Sequence, residues 1–258
     1  MPNLRDEAAS TPCRLIIESG GAGAHHMAVD EVLLESAAAS GAASLRFYRW
    51  SEPTISLGYF QSLAQRAEHP ASVACPLVRR QTGGGAILHD HELTYSLAVP
   101  STHPLAANSL RLYAAVHDCL VGILAITGYV ATRWPAGEKI AAPRREPFLC
   151  FQRRAPGDVL CQEVKICGSA QRRRRGAILQ HGSLLLARSA FAPELPGLAE
   201  LGAAHLQNTD PLAQDWSQAL AGMMALQLQA GGLTPLEQQA AARLEREKYG
   251  DSSWSARR

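Results

Sequence analysis

Several features that would assign this chain to a familiar class are missing from its sequence. Its six cysteines contain no C-x-x-C pair, so the usual ligand spacing of a structural zinc site is absent. No run of about 18 apolar residues predicts a membrane span. The first residues include Asp6 and Glu7 and lack an apolar core, so we predict no secretory signal. We therefore expect reduced thiols and a cytoplasmic location.

An excess of charge of one sign is also absent. The formal net charge is +2, with 19% charged and 47% hydrophobic residues, which is typical of a globular protein. This net charge is too small to argue for nucleic-acid binding, and no aromatic-plus-basic repeat supports it. The basic residues that stand out lie in the middle third of the chain: Arg144-Arg145, Arg153-Arg154 and Arg172–Arg175. They predict a local basic face for a phosphate or an acidic protein, or simply a solvated charged surface.

Two nucleotide-binding signatures are missing as well. Gly83–Gly85 follow a strand-like segment that ends in Arg79-Arg80, and such glycines let the backbone approach an anion closely. The Gly-x4-Gly-Lys-Ser/Thr pattern of a P-loop is absent. No helix follows the glycines within a βαβ unit, so a dinucleotide fingerprint is excluded too. The segment is either a turn or a binding loop.

Hydrophobic periodicity predicts one α+β domain over residues 14–258, preceded by a flexible tail over residues 1–13. Strands are predicted over residues 14–18, 45–50, 54–59, 77–80, 86–89 and 92–99, with a hairpin joining the second to the third. Helices are predicted over residues 25–39, 61–69, 109–127, 211–230 and 235–248. We expect an irregular crossing over residues 134–147 and a polar tail over residues 251–258.

The stretch from Phe148 to Leu186 carries most of the nucleophilic candidates. Cys150 lies in an irregular segment with arginines nearby, where a thiolate would be stabilised, although a free cysteine is most often a buried apolar residue. Lys165 interrupts an apolar strand, and a buried amine is costly unless paired, so it is a functional candidate. Regular alternation would place Cys161, Lys165 and Cys167 on one face. Either cysteine could then compete as nucleophile, but we favour core packing for both.

His89 and His91, with Asp90 between them, suggest a metal site. Strand alternation would put both imidazoles on one face, but no third ligand can be identified from the sequence. We therefore favour structural histidines at both positions and predict no metal site.

Several motifs together resemble the lipoate-protein ligase and octanoyltransferase family, and they cover nearly the whole chain from about residue 14. The motifs are Met27–Glu31, Leu45–Tyr48, Ser56–Gln61, Arg79–Asp90, Glu92–Ser96, Lys165–Arg172, Leu179–Leu184 and Lys248–Trp254. In combination they are highly specific. The resemblance implies the biotin/lipoyl protein ligase catalytic fold, which is an α+β fold of mixed sheets flanked by helices, with a helical C-terminal end.

The same resemblance implies a chemistry. Cys150-Phe151 ahead of Lys165 looks like the octanoyltransferase branch in which a cysteine at this place carries the acyl group. Those enzymes act in lipoate biosynthesis without a cofactor. They move octanoate from octanoyl-acyl carrier protein to a lysine of a lipoyl domain, such as glycine-cleavage H protein or an E2 subunit. Lys165 as an ammonium would lower the pKa of Cys150 and favour the thiolate.

Further site residues follow from the matched motifs. The expected substrate-binding residues are Arg80, Thr82, Gly83, Gly84, Gly85, His89, Gly168, Ser169, Ala170, His181 and Gly182. The glycines among them would let the backbone approach the acyl chain and its carbonyl. Arg172–Arg175 would offer a docking face for an acidic carrier protein. We expect no nucleic-acid or membrane partner.

Two other functions remain open. An ATP-dependent lipoate-protein ligase would use Lys165 and the glycine loop to bind an acyl adenylate, and it would require ATP and Mg²⁺. A non-catalytic lipoyl-domain or acyl-binding module could also use this fold. The Cys150–Lys165 pair favours the transferase over both, and the helical end is too short for the accessory domain of the larger ligases.

Overall fold

The computed structural model describes residues 10–135 and 146–257. Its strands are β1 Thr11–Ile17, β2 Ala43–Tyr48, β3 Thr54–Leu57, β4 Leu77–Arg79, β5 Ile87–His89, β6 Glu92–Pro100, β7 Ala131–Arg133, β8 Val159–Cys161, β9 Val164–Arg174, β10 Ala177–Leu185 and β11 Leu226–Ala230. Its α-helices are α1 Gly23–Ser40, α2 Ser109–Ile126, α3 Thr209–Met224, α4 Pro235–Leu244 and α5 Ser252–Ala256.

The described strands form two sheets. The large sheet has eight strands in the order β11-β1-β2-β6-β10-β9-β8-β7, and the small sheet has three in the order β4-β3-β5. In the large sheet β1 runs parallel to β2 and β11, and the remaining pairs are antiparallel. Mixed sheets flanked by helices confirm the predicted α+β class.

Each face of the large sheet has its own core, because successive side chains of a strand point to opposite faces. Leu45 and Phe47 of β2 face α2 and α3, and they pack with Trp216. Tyr48 faces the other way, where α1 and α4 cover the sheet. Helix α2 has the length and apolarity of a membrane span, with a mean hydropathy of 1.5, but one side of it is buried in the first core.

The predicted hairpin between the second and third strands is wrong. β2 pairs with β1 and β6 in the large sheet, whereas β3 pairs with β4 and β5 in the small one. Both strands are buried throughout, so each is covered by partners that are distant in sequence. Residues 51–53 carry the chain from one sheet to the other. The helix predicted over 61–69 is a 3₁₀ helix, Leu63–Glu68.

The C-terminal part differs from the prediction in two places. The helix predicted through residue 230 ends at Met224, because Ala225 adopts the left-handed conformation with φ of 49° and the chain continues as β11. The alternating Leu-Gln-Leu-Gln of residues 226–229 is the pattern of an edge strand, and it pairs with β1. The predicted polar tail is folded as well, since Trp254 Nε1 donates to the Arg79 carbonyl at 2.7 Å.

The N-terminal boundary also moves. β1 begins at Thr11, so residues 11–13, which were expected in the tail, pair with β11. Residues 1–9 lie outside the described part of the chain, as do residues 136–145 of the expected crossing, including Arg144-Arg145.

The expected common face of Cys161, Lys165 and Cys167 is not formed. Cys161 belongs to β8, and a two-residue turn at Gln162 and Glu163, with φ of 47° and 65°, separates it from β9. The turn contains no glycine, so the sequence carried no strong signal for it. Val159 of β8 pairs with Cys167 of β9, and Leu160 pairs with Lys165, so Ile166 is an extra residue in β9 and forms a β-bulge. The bulge turns Lys165 away from the face of Cys167.

Candidate active site

A cavity of about 290 Å³ is lined by both sheets, α1 and residues 146–158. Most of the predicted substrate-binding residues line it: Arg80, Gly83, Gly84, His89, Gly168, Ser169, Ala170, His181 and Gly182. Thr82 and Gly85 do not line the cavity but support it from behind. Thr82 Oγ1 lies 2.7 Å from His181 Nε2, and the Gly85 carbonyl accepts a hydrogen bond from Arg80 at 2.7 Å.

Cys150 begins a short 3₁₀ helix, Cys150–Gln152, beside the glycine loop. Its backbone N–H donates to the Ala86 carbonyl at 2.7 Å, and the Ala86 N–H donates to the Phe148 carbonyl at 3.1 Å. Phe148 and Leu149 are buried in the core under the small sheet. This pairing holds the half-buried Cys150 next to Gly83–Gly85.

Lys165 and Cys150 meet at one end of the cavity. Lys165 Nζ lies 3.8 Å from Cys150 Sγ and 3.4 Å from the Cys150 carbonyl oxygen. It also donates to the Arg153 carbonyl at 3.3 Å. The β-bulge at Ile166 makes this meeting possible, because it points Lys165 into the cavity. The predicted thiol and amine are therefore brought together.

Asp158 is the main residue that the sequence reasoning missed. Its Oδ2 lies 2.7 Å from Lys165 Nζ, and both side chains are buried. The Ala155 N–H and the Tyr113 hydroxyl also donate to this carboxylate, at 2.6 and 3.3 Å. A lone carboxylate directly before the apolar Val159–Cys161 strand was the available signal. Its presence explains how an ammonium is accommodated in an apolar segment.

The charges around Cys150 favour its thiolate. Burial alone would raise the pKa of the thiol, but nearby Lys165, Arg80 and Arg153 outweigh it and hold the pKa below its ordinary value. Burial raises the pKa of the other five cysteines, to about 12 for Cys13 and about 11 for Cys119. Cys161 and Cys167 lie in the core under α2 and α3. Cys150 is therefore the cysteine suited to nucleophilic attack.

The two histidines of the cavity are each held between a carboxylate and a hydroxyl. His89 Nδ1 lies 2.7 Å from Glu92 Oε1, and its Nε2 lies 2.7 Å from Ser56 Oγ. His181 Nδ1 lies 2.8 Å from Asp30 Oδ2, and Thr82 occupies its other nitrogen. These contacts fix both rings in the cavity wall.

His91 takes no part in that wall. It is exposed, and its Nε2 lies 3.7 Å from Asp90. Within residues 10–135 and 146–257, no three His, Cys, Asp or Glu side chains are grouped to hold a metal ion.

The side-chain hydroxyls of the cavity floor are paired within the wall. Ser183 Oγ donates to Glu92 Oε1 at 2.8 Å, Thr94 Oγ1 donates to the same oxygen, and Trp50 Nε1 donates to Thr94 Oγ1 at 2.9 Å. Their hydrogen bonds are thus directed within the wall. A ligand that offers no hydrogen bonds, such as an alkyl chain, can therefore lie against them without leaving them unpaired.

Arg172–Arg175 do not form one basic face. The Arg172 guanidinium lies over the Tyr59 ring, Arg173 donates to the Ala106 carbonyl, and Arg174 pairs with Glu31 at 2.8 Å. Successive residues of β9 point to opposite faces, which separates Arg173 from Arg172 and Arg174, and Arg175 lies in the turn after the strand. The four arginines therefore do not form one basic face, and their role in docking a carrier protein stays a prediction.

A thiol whose pKa is lowered by neighbouring cations, beside a buried lysine in a cavity that suits an alkyl chain, is typical of one class of protein: enzymes that transfer acyl groups. A family model, the lipoyl protein ligase A/B catalytic domain, matches residues 22–191. The chain belongs to this family, and the predicted resemblance is confirmed.

Two relatives that align with this chain over nearly their full length share the name octanoyltransferase LipM. Octanoyltransferase LipM of Moorella thermoacetica is 32% identical over 90% of this chain and 93% of the relative. Octanoyltransferase LipM of Kyrpidia tusciae is 31% identical over 95% of this chain and 98% of the relative. A third, from Oceanobacillus iheyensis, is 38% identical but covers only 62% of this chain and 59% of the relative.

Solved structures share the fold. A lipoate-protein ligase A bound with ATP superposes with a TM-score of 0.75 and 21% identity, covering 95% of this chain and 98% of the other. A bipartite lipoate protein ligase from Thermoplasma acidophilum, described with its E2 lipoyl domain, gives a TM-score of 0.74 and 22% identity over 95% and 96% of the two chains. These neighbours confirm the predicted fold.

Proposed function

We propose that this protein is an octanoyltransferase of lipoate biosynthesis that carries the octanoyl group on Cys150 during transfer. Octanoyl transfer is the activity named for the full-length relatives, and the predicted enzyme class, an acyltransferase, is confirmed by them. The observation that supports the acyl-cysteine is the position of Lys165 Nζ, 3.8 Å from a thiol with a lowered pKa.

In the first step the Cys150 thiolate attacks the carbonyl carbon of an octanoyl thioester on a carrier protein. A new carbon–sulfur bond forms to Cys150, and the bond from the same carbon to the carrier sulfur breaks. The Lys165 ammonium gives its proton to the departing carrier thiolate. The products are octanoyl-Cys150, a neutral Lys165 and a carrier thiol.

In the second step the ε-amine of an acceptor lysine attacks the octanoyl-Cys150 carbonyl. The amide bond forms, the carbon–sulfur bond breaks, and Cys150 leaves as a thiolate. Lys165 takes up the proton that the nitrogen loses, which restores the ammonium–thiolate pair. Because the thioester already supplies the activation, this route needs neither ATP nor Mg²⁺.

The proposed acceptor is a lysine of a lipoyl domain, either on an E2 subunit or on glycine-cleavage H protein. Support comes from the Thermoplasma ligase, which shares the fold and is described with its E2 lipoyl domain. The proposed donor is octanoyl-acyl carrier protein, and Arg153 and Arg154 at the cavity would face its acidic surface. The reaction would take place in the cytoplasm.

Incubation with octanoyl-acyl carrier protein in the absence of ATP tests the proposal. We expect an octanoyl adduct by intact mass that hydroxylamine removes and that peptide mapping places on Cys150. Cys150→Ala should abolish it, whereas Cys161→Ala, which alters a buried core cysteine, should retain it.

Two other outcomes of the same experiment would support one of the alternative functions. If no adduct forms but lipoate supports ATP-dependent pyrophosphate exchange, the protein is a lipoate-protein ligase. If neither reaction occurs, the reading as a non-catalytic lipoyl-domain or acyl-binding module replaces both.

A further inference from the structure

We propose that Met27 sets the upper limit on the length of the acyl chain that this enzyme accepts. The inference rests on the proposed function, because it concerns the chain carried by Cys150. It follows from the direction of the cavity, the register of the strands beneath it and the side chains that close it.

The cavity has a charged end and a closed end. Beside Cys150 it is lined by Glu146, Arg153 and Arg154, and the Glu146 side chain is 72% exposed. A carrier protein can reach the thiol from this side. An alkyl chain attached to Cys150 would not lie among exposed charges, so its tail must run the other way, into the cavity.

The floor in that direction is a row of four residues across the large sheet. Tyr48 of β2 pairs with Thr94 of β6, Thr94 pairs with Ser183 of β10, and Ser183 pairs with Gly168 of β9. All four line the cavity. Gly168 marks the reactive end, since a Cβ there would lie 2.7 Å from Lys165 Cε. Three strand spacings of about 4.8 Å make the row roughly 14 Å long.

The length of the row suits an eight-carbon chain. An extended alkyl chain advances roughly 1.25 Å per bond, given bonds of about 1.5 Å and angles near 111°, so the seven carbon–carbon bonds of octanoyl span about 9 Å. From Gly168 such a chain reaches about as far as Thr94, and a contact distance of about 4 Å beyond its last carbon brings it against the side chains at β2. Each further methylene would press on those side chains.

Met27 of α1 and Tyr48 of β2 both line the cavity. Met27 is 3% exposed and lies in the same core as Tyr48 and Trp50. It also precedes Asp30 by one helical turn on α1, and Asp30 accepts a hydrogen bond from the Tyr48 hydroxyl at 3.3 Å. Asp30 therefore places the face of α1 that carries Met27 over the β2 end of the row.

Of these two residues, Met27 can be changed in size without breaking a hydrogen bond. Tyr48 is held by Asp30, by the Arg46 guanidinium 4.0 Å from its ring centre and by the His26 ring. The Met27 side chain has no hydrogen-bonding group to lose and is conformationally adaptable. The volume of the Met27 side chain thus limits the length of the acyl chain, and Tyr48 is its rigid neighbour.

The test is a competition among hexanoyl-, octanoyl- and decanoyl-acyl carrier protein, with the acyl-Cys150 products resolved by intact mass. Met27→Ala should raise the decanoyl-to-octanoyl ratio by roughly tenfold or more, the usual effect of a methylene in an apolar pocket. Met27→Phe should raise the hexanoyl-to-octanoyl ratio instead. If Met27→Ala does not fold, Met27→Phe still tests the inference, because the expected change in chain-length preference is in the opposite direction.

Met224→Ala is the matched control, because Met224 is equally buried but lies in the core on the opposite face of the sheet. It should keep the wild-type profile of chain lengths. The inference is overturned if the Met27 variants acylate with the wild-type profile, or if Met224→Ala shifts it equally. Absence of acyl-Cys150 with every donor in the wild-type protein would instead refute the proposed function, and the inference would fall with it.

Discussion

The β-bulge at Ile166 determines which side chains Lys165 contacts. Without the bulge, Lys165 would share a face with Cys167 and point into the core under α2 and α3. With it, Lys165 meets both Cys150 and Asp158. Lys165 could be chosen as a candidate from the sequence, because a lone lysine in an apolar run is unusual. Its position relative to Cys150 could not be predicted, because a bulge has no reliable local signature.

The first prediction concerns the acidity of Cys150. Lys165→Met removes the nearest cation, so the pKa of the thiol should rise and alkylation by iodoacetamide near neutral pH should slow. Octanoyl transfer should fall by roughly 100-fold or more, since proton transfer is lost as well. Alkylation rates measured against pH provide the readout. Arg243→Met, which removes an exposed cation on α4, should leave the profile unchanged.

The second prediction concerns the buried Lys165–Asp158 pair, whose side chains are 3% and 2% exposed. Asp158→Ala leaves an unpaired buried ammonium and should destabilise the fold by about 3–5 kcal/mol. Adding Lys165→Met to that variant removes the unpaired charge and should recover part of the loss. Chemical denaturation of the two single variants and the double variant completes the cycle. Additive losses would show that the pair is not coupled.

At the scale of elements, long periodic segments were the most predictable. α1 and α2 match the predicted helices to within a few residues. In α2 the apolar positions recur along one face, whereas α1 is buried on all sides over residues 26–34. The end of α3 did not match. Alanine-rich sequence continues past Met224, but Leu226–Ala230 gains more as the edge strand beside β1 than as another turn of helix. Only the neighbouring strand distinguishes the two outcomes.

The third prediction uses that helix end. Ala225 is exposed and has φ of 49°, a conformation that disfavours residues with a Cβ, so Ala225→Gly should stabilise the protein by roughly 0.5–1.5 kcal/mol. Gly222 lies inside α3, and a Cβ added there would meet no other atom. Gly222→Ala should therefore stabilise the protein by roughly 0.5–1 kcal/mol, because alanine loses less backbone entropy than glycine in a helix. Urea denaturation measures both, and a loss of stability in either would contradict the backbone argument.

At the scale of the whole molecule, the two cores meet at a sheet whose cavity side is rich in polar groups. The resulting burial leaves histidines neutral in the folded protein. Burial lowers the pKa of His26 from 6.5 to about 3, with Arg46 adding to the effect. Burial lowers the pKa of His117 from 6.5 to about 4, and the charge of Lys165 contributes. Folding therefore excludes protons that the unfolded chain would bind.

The fourth prediction is the acid dependence of stability. Above pH 6.5 these histidines are neutral in both the folded and the unfolded chain and do not change the free energy of unfolding. Because their pKa values are lower in the folded protein, only the unfolded chain binds protons as pH falls from about 6.5 towards 4, and stability is lost. At pH 5 the loss should be about 2 kcal/mol for each histidine. Denaturant midpoints at pH 7 and 5 measure it. His117→Gln should reduce the difference, whereas exposed His205→Gln should not; equal slopes in all three proteins would refute the assignment.

The sequence by itself determined the family, the α+β class and the choice of Cys150 and Lys165 as candidate reactive residues, because those depend on residue type and local spacing. The tertiary structure decided the rest. It paired strands that are distant along the chain, turned Lys165 into the cavity through a bulge, supplied Asp158 and separated Arg173 from Arg172 and Arg174. These features depend on register and on partners remote in sequence, and no local pattern encodes such contacts.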